Sequence, residues 1–239
     1  MSVIVPAFNE ELYLPETLRN INKAISFLEG RAQVEVEVIV VDNASTDRTP
    51  EIAQSLGAKL VHESIHNIGR VRNVGAGIAT GDVLIFVDAD TLIPESLLSH
   101  ITEAVSSPEC IGGSVDIDYR PKRPLIRVYV RFWRALGILF RMSQGVTQFC
   151  RHSIFLALNG YDESIYNGED VDFYWRLGRY AQKYGGRRCF IDQVAVIPSA
   201  RRYDQWPLWR TFVWTNPLFG LFFRRKKNMW SRWYKVMPR

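Results

Sequence analysis

The chain reads as an α/β protein: one mostly parallel sheet flanked by helices, followed by a C-terminal extension that is helical, aromatic and basic. Three observations predict this. Short apolar runs alternate with helix-spaced segments through the first 120 residues. The chemically informative loops of that half each follow a strand. The 239 residues, 47% of them hydrophobic, suffice for one sizeable core, which favours a single large domain over two.

The elements follow in order. Val3–Val5 is a short apolar strand closed by Pro6. Leu12–Leu28 has helical spacing, and Gly30 stops it. Val34–Val41 alternates with Glu35 and Glu37 and then turns fully apolar, as a strand entering the core does. Thr49-Pro50-Glu51 opens a helix, with Thr as cap and Pro at the first position. Lys59–His62 is a weak strand. Arg70–Ala79 is a helix with Val71, Val74, Gly75 and Ile78 on one side, closed by Gly81. Val83–Val87 is an apolar run opened by Thr80-Gly81-Asp82, which predicts a strand buried on both faces. This βαβαβ order predicts right-handed crossovers and a largely parallel sheet. Beyond residue 110, Ile111–Tyr119, Val146–Cys150 and Phe190–Ile197 read as strands, Leu125–Met142 and Val171–Tyr184 as helices.

Composition narrows the setting. Cys110, Cys150 and Cys189 are far apart and odd in number, without metal-ligand spacing or a disulfide framework, which suggests a reducing compartment. The start of the chain offers too short an apolar core for a signal peptide, and no run of 18 apolar residues predicts a spanning helix. The net charge of +5 hides a polarity. Residues 1–119 carry 7 basic and 18 acidic side chains, a net of −11, and residues 120–239 carry 23 and 7, a net of +16. A surface or partner seen by the second half alone is expected, with nucleic acid and anionic lipid both candidates on charge.

Asp88-Ala89-Asp90 stands where the Val83–Val87 strand ends. Ligands of open α/β sheets bind at the carboxyl ends of strands. Two carboxylates converging there repel unless a cation sits between them, and hard divalent ions take such oxygen ligands together with phosphates. Alone, the triplet reads more simply: Asp90 or Thr91 caps a helix starting near Pro94, and Asp88 is solvated. Its company reverses that reading. Pro6-Ala7-Phe8-Asn9-Glu10, Asp42-Asn43-Ala44-Ser45-Thr46-Asp47 and Asn67-Ile68-Gly69 through Asn73 follow the other strands. Asn159-Gly160-Tyr161-Asp162 and Gly168-Glu169-Asp170-Val171-Asp172 come later, the last opening a helix whose dipole favours acidic side chains.

In these motifs and their order, over roughly residues 2–200, the chain resembles the family 2 glycosyltransferases with the GT-A fold. The resemblance implies a GT-A domain over residues 1–205, with a nucleotide-sugar-binding half at 1–119, an acceptor half at 120–205 and an aromatic, basic tail at 206–239. It implies a nucleotide-sugar donor, a divalent metal (Mn2+ or Mg2+) and inversion at the anomeric carbon. Asp88 and Asp90 match the metal positions, with Asp88 also placed for the ribose, and Asp170 matches the general base. Donor binding is expected from Pro6, Ala7, Phe8, Glu10, Asp42, Asn67, Gly69, Arg72, Asp88 and Arg202, and acceptor-side contacts from Glu169 and Tyr161. Asp42 matches the base-recognition position. A carboxylate only accepts hydrogen bonds, which suits the ring N–H of uracil or guanine and favours a UDP-sugar, with GDP and dTDP open. Structural readings stand beside these: Asp42 as a turn residue, Glu10 as a first-turn helix acid, Arg72 as a solvated helix face. The His that many relatives carry near Arg201-Arg202 is missing, so either the metal has fewer protein ligands or an Arg pairs the diphosphate directly.

The basic half holds Arg127, Arg131, Arg134 and Arg141 on one helical stripe, and Trp206, Trp209, Trp214, Trp230 and Trp233 around Arg224-Arg225-Lys226-Lys227. Given the family, lipid is preferred to nucleic acid. The expectation is a cytoplasmic enzyme, peripheral on the inner-membrane face, with a lipid-linked or glycan acceptor; a packed subdomain with a solvated basic rim is the alternative. A sugar-phosphate nucleotidyltransferase and a catalytically inactive sugar- or lipid-binding module are the rival functions. No Gly-rich triphosphate loop follows Val5, and the acidic motifs are intact.

Overall fold

The computed structural model describes residues 1–139, 146–228 and 230. Its element order is β1 (Ser2–Ala7), α1 (Leu14–Glu29), β2 (Glu37–Asp42), α2 (Thr49–Ser55), β3 (Lys59–His62), α3 (Ile68–Ile78), β4 (Val83–Val87), β5 (Thr91–Leu92), α4 (Leu97–Ser106) and β6 (Cys110–Ile117). Then come α5 (Pro124–Leu139), β7 (Thr147–Arg151), α6 (His152–Ala157), α7 (Glu169–Tyr184), β8 (Arg187–Pro198), α8 (Arg201–Gln205), α9 (Leu208–Trp214) and α10 (Pro217–Phe223).

The strands form one eight-stranded sheet in the order β3-β2-β1-β4-β7-β6-β8-β5. β1 to β4 pair in parallel, as the βαβαβ pattern predicts. β7 enters reversed, antiparallel to both β4 and β6, while β6 and β8 are parallel to each other. The carboxyl ends of β1–β4, β6 and β8 therefore share one edge, with the amino end of β7 among them. Helices cover both faces. On one, Leu14, Leu18, Ile21, Ala24 and Leu28 of α1, spaced three or four apart, pack with Leu97, Leu98 and Ile101 of α4 on Val3, Val5, Ile85 and Val87. On the other, Val71 and Ala76 of α3 and Phe173 and Leu177 of α7 pack on Ile4, Leu84 and Phe86.

Three expectations are corrected. β1 does not stop at Pro6: Pro6 pairs with Val41 and Ala7 with Asp42, so both are buried strand residues. No helix is capped by Asp90. Thr91 and Leu92 instead form β5 against Pro198 and Ile197, and the next helix starts at Leu97. Cys110 and Cys189, 79 residues apart, are disulfide-bonded with Cα atoms 6.0 Å apart, because β6 and β8 are neighbours. This removes the cysteine argument for a reducing compartment. Cys150 is free and buried. Arg141 and Trp233 lie outside the described residues.

α3 sits close to the sheet because Gly75 has no side chain. A Cβ there would stand 2.5 Å from Ile4 Cγ2 and 2.9 Å from Val41 Cγ2, whereas one at Gly77 would meet nothing within 4 Å. Gly75→Ala is expected to cost about 1–3 kcal/mol through overpacking. Gly77→Ala, exposed on the same helix, should be neutral or gain up to about 1 kcal/mol from helix propensity. Urea unfolding of the two variants separates these outcomes.

Candidate active site

The Asp88-Ala89-Asp90 turn is fixed from three sides. Asp88 N–H donates to Val146 O (3.2 Å), Ser199 N–H donates to Asp90 O (2.9 Å), and Thr17 Oγ1 of α1 donates to Ala89 O (2.9 Å). The turn thus sits between the amino end of β7 and the carboxyl end of β8, with Ala89 buried as its inward anchor.

Each carboxylate of the turn meets a guanidinium. Arg72, 2% exposed, projects from α3 and donates from Nη2 to Asp88 Oδ1 (2.9 Å) and from Nη1 to Glu169 Oε1 (2.5 Å). Its guanidinium lies 5.3 Å from the Tyr161 ring centre. Arg72 is therefore neither a solvated helix residue nor exposed to a nucleotide; it bridges β4 to the start of α7. Arg201 donates to both carboxylate oxygens of Glu10 (2.8 and 2.5 Å) and approaches Asp90 Oδ2 at 3.3 Å. Glu10 is thereby buried and bidentate with an arginine rather than open to a ribose. The charge of Arg202 acts on Asp88 and Asp90, and its neighbours Tyr119 and Tyr203 pack edge to face 5.2 Å apart.

Burial pushes the Asp88 carboxyl up to about 6, with Asp90 adding like-charge repulsion and Arg72 opposing both. Glu169 is also raised, by burial first and the neighbouring Asp170 second, against the pull of Arg72. Both carboxylates therefore call for positive charge close by.

On the donor-expected side, the loops after β1 and β2 are laced together. Asn9 N–H donates to Ser45 Oγ (2.9 Å), Thr46 N–H to Asn9 Oδ1 (2.7 Å), and Glu10 N–H to Thr49 Oγ1 (2.7 Å). Asn9 and Ala44 hold left-handed backbone, with φ of 53° and 58°. Asp42 is buried; it accepts Ser45 N–H at Oδ1 (3.2 Å) and meets His62 Nδ1 at Oδ2 (3.0 Å). Two of a carboxylate's roughly four acceptor positions are then used, which leaves capacity for a further donor. The Phe8 ring stands 4.6 Å from that of His66. Pro6 and Ala7 can offer only backbone. Asn67 caps α3 by accepting Arg70 N–H (2.9 Å) and donates to Glu163 O (2.7 Å). At Gly69 a Cβ would lie 3.3 Å from Tyr161 Cβ, so these two residues seat α3 against the Tyr161 loop.

Asp170 is the second residue of α7, whose cap Gly168 has φ 77°. Its Oδ1 accepts Val171 N–H (2.8 Å), and its carbonyl accepts Gln148 Nε2 (3.0 Å). Gln148 lies opposite Phe86 on β4 and accepts the Tyr161 hydroxyl at Oε1 (3.0 Å). Tyr161 and Glu169 do not form an acceptor surface: both are buried, Tyr161 stacked on Phe173 at 4.6 Å and Glu169 on Arg72. A large aromatic flanked by apolar residues packs inward, and Glu169 turns into the helix layer to meet Arg72. The sequence pattern assigned no role to Gln148 and held Asn73 only as the last residue of the loop motif that opens at Asn67. Asn73 ties α3 to Tyr161 in both directions (Nδ2 to Tyr161 O, 3.0 Å; Tyr161 N–H to Oδ1, 2.8 Å). Gln148 was signalled as the one amide inside the Val146–Cys150 run.

Asp88 and Asp90 are the side chains of this turn that could hold a divalent cation. Among the described residues no group of three or more His, Cys, Asp or Glu could ligate one. Two carboxylates at a sheet edge nonetheless fit a hard cation whose remaining positions are filled by water and phosphate oxygens.

A sheet with this order, carrying an Asp-x-Asp turn at its carboxyl edge and an acidic helix start opposite, is the GT-A arrangement. The family model for glycosyl transferase family 2 matches residues 2–162, and the chain belongs to that family. One relative is the undecaprenyl-phosphate 4-deoxy-4-formamido-L-arabinose transferase of Pseudomonas paraeruginosa, 33% identical over 174 residues, 69% of this chain and 48% of that protein. The chain spans about half the length or less of the curated relatives it matches. Similar solved folds include the mannosyltransferase PcManGT of Pyrobaculum calidifontis in complex with GDP-Man and Mn2+ (TM-score 0.66, 22% identity, 87% of this chain and 59% of that one). Another is TarS 1-349 of S. aureus in complex with UDP-GlcNAc (TM-score 0.62, 22% identity, 82% and 57%).

Arg72→Met leaves Glu169 buried without its cation and should cost about 3–5 kcal/mol, the usual loss for breaking a buried pair. Adding Glu169→Gln should return part of that stability. A denaturation double-mutant cycle checks the coupling; additive losses would show that the two side chains do not sense each other.

Proposed function

We propose that the chain transfers a sugar from a nucleoside-diphosphate donor to an acceptor hydroxyl or lipid phosphate, inverting the anomeric carbon in one displacement. The observation that carries this reading is the pair Asp88 and Asp90, pinned at the carboxyl edge of the sheet and tied through Arg72 and Glu169 to the helix that begins beside Asp170. Asp88 and Asp90 would hold Mn2+ or Mg2+, whose chemistry there is to neutralise charge on the departing diphosphate. Arg202, whose charge already reaches both carboxylates, would pair with diphosphate oxygens. Asp42 would accept the ring N–H of the base, with Phe8 beside it. Asp170 would take the proton from an acceptor hydroxyl as it attacks. An ionised lipid phosphate would not need that step. Buried Arg72, Glu10, Asn67 and Gly69 act by positioning these groups.

The relatives' ligands support a UDP- or GDP-sugar, and the undecaprenyl-phosphate transferase supports a lipid-linked acceptor. In this reading the membrane contact is peripheral, since no helix among the described residues is long and apolar enough to cross a bilayer.

Calorimetric titration with UDP, GDP and dTDP, with Mn2+ and with EDTA, identifies the donor class. Asp90→Ala is expected to fold and to lose the Mn2+-dependent part of nucleotide affinity. Equal parental affinity in Mn2+ and EDTA would refute metal-assisted binding. Asp170→Asn should keep donor binding and lower turnover of a hydroxyl acceptor by about 10²–10⁴. Turnover at the parental rate would assign the base elsewhere.

A further inference from the structure

α5 has three faces. Ile126 is fully buried, and Tyr129 on the same side packs edge to face on Phe212 of α9, with ring centres 4.9 Å apart. A second face carries Arg127, Arg131 and Arg134, of which Arg134 pairs with Asp116 of β6. The third face carries Leu125, Val128, Phe132 and Leu139, spaced by three, four and seven residues. All four are exposed, Val128 at 67% and Leu139 at 72%. Their spacing makes them a single stripe along the helix. α9, packed beside α5, adds exposed Leu208, Val213 and Trp209, the last at 62%. A row of exposed apolar side chains on adjacent helices is uncommon on a surface without a partner.

The helices that form this face carry charge of one sign. Residues 120–161 and 205–239, which contain α5, α9 and α10, include no Asp or Glu at all. Arg131, Lys226 and Lys227 are exposed, and Arg210 lies over the ring of Trp209 at 5.6 Å. By contrast, Arg224 and Arg225, prominent in the sequence, are paired with Asp172 and Asp162. Part of the expected basic cluster therefore fastens the C-terminal segment to the site-bearing loop, and the outward charge lies elsewhere.

We propose that the exposed rows of α5 and α9 form a docking face for an anionic lipid bilayer, with both helices lying in the membrane–water interface. A basic rim around an apolar row that includes Trp matches the chemistry of that interface, where apolar side chains enter the acyl boundary and cations meet lipid phosphates. Arg127, Arg131 and Arg134 along one side of α5 suit a helix that lies on a bilayer rather than one that crosses it. The face is joined to the site by a short segment. α8 carries Arg201 and Arg202 and is followed by Trp206, whose carbonyl accepts Arg123 Nη1 (2.7 Å) just before α5, and α9 starts at Leu208. The inference rests on the reading above only for the idea that the acceptor arrives in the membrane; the face itself stands on exposure and charge.

The experiment is flotation of the full chain with vesicles of phosphatidylcholine alone and of phosphatidylcholine with phosphatidylglycerol, at low and high salt. UDP and GDP binding are measured on the same preparations. The parent is expected to float with the anionic vesicles at low salt and in part at high salt, with a blue shift of tryptophan emission. Val128→Ser/Phe132→Ser/Leu139→Ser, all at exposed positions, should keep the parental melting temperature and nucleotide binding and lose the salt-resistant fraction. Arg131→Gln/Lys226→Gln/Lys227→Gln should lose the preference for anionic vesicles. A parent that never floats, or a serine variant that floats like the parent, overturns the proposal. So does light scattering that shows a parental dimer and a monomeric serine variant, which would assign the face to a second copy. Flotation without nucleotide binding would leave the docking face standing and remove the donor reading instead.

Discussion

The buried guanidinium of Arg72 holds the site together. It joins the end of a central strand, through Asp88, to the first turn of α7, through Glu169. Neither carboxylate is comfortable in its place. Burial raises both, and Asp90 and Asp170 add repulsion. One fixed cation between them offsets part of both penalties and ties the two acidic motifs together. Asn73, next along α3, fastens Tyr161 above it, and Tyr161 reaches Gln148, which holds the Asp170 carbonyl. The position of Asp170 is thus specified by a chain of contacts that starts on α3.

A second guanidinium repeats the device on the other side of the turn. Arg201 ties Glu10, from the first loop, to Asp90, from the Asp-x-Asp turn, so that loops far apart in sequence share one anchor. With Arg202, three arginines stand among five carboxylates: Glu10, Asp88, Asp90, Glu169 and Asp170. At formal charge this leaves a deficit of two, which a divalent cation would offset. Arg201 stands near the position where a histidine ligand would be sought, and under the proposed function the phosphate oxygens of the donor would take a larger share in holding a metal.

The strand Val83–Val87 is legible in the sequence to the residue because turn signals bound it and its apolar run matches a buried strand; Lys59–His62 matches its bounds too, as a half-exposed strand at the sheet edge. The loops that carry chemistry are legible for a related reason: polar residues that interrupt apolar strands at one end must collect at one sheet edge. What is not legible is who pairs with whom. Arg72 and Glu169 are 97 residues apart, and Glu10 and Arg201 are 191 apart. Their meeting depends on where the reversed β7 enters the sheet, which no local pattern encodes. The same limit hid β5, only two residues long and defined by its partner, and the Cys110–Cys189 bond between strands that are neighbours only in space. It also turned Tyr161 and Glu169, chemically plausible at an acceptor surface, into interior residues.

The most direct measurement is the anomalous difference density of Mn2+ in crystals grown with the nucleotide diphosphate that binds best. A single strong peak bonded to Asp90, with Asp88 bonded directly or through water and the diphosphate completing the shell beside Arg202, is the predicted result. A peak away from this turn, or a nucleotide bound at another edge of the sheet, would contradict the account.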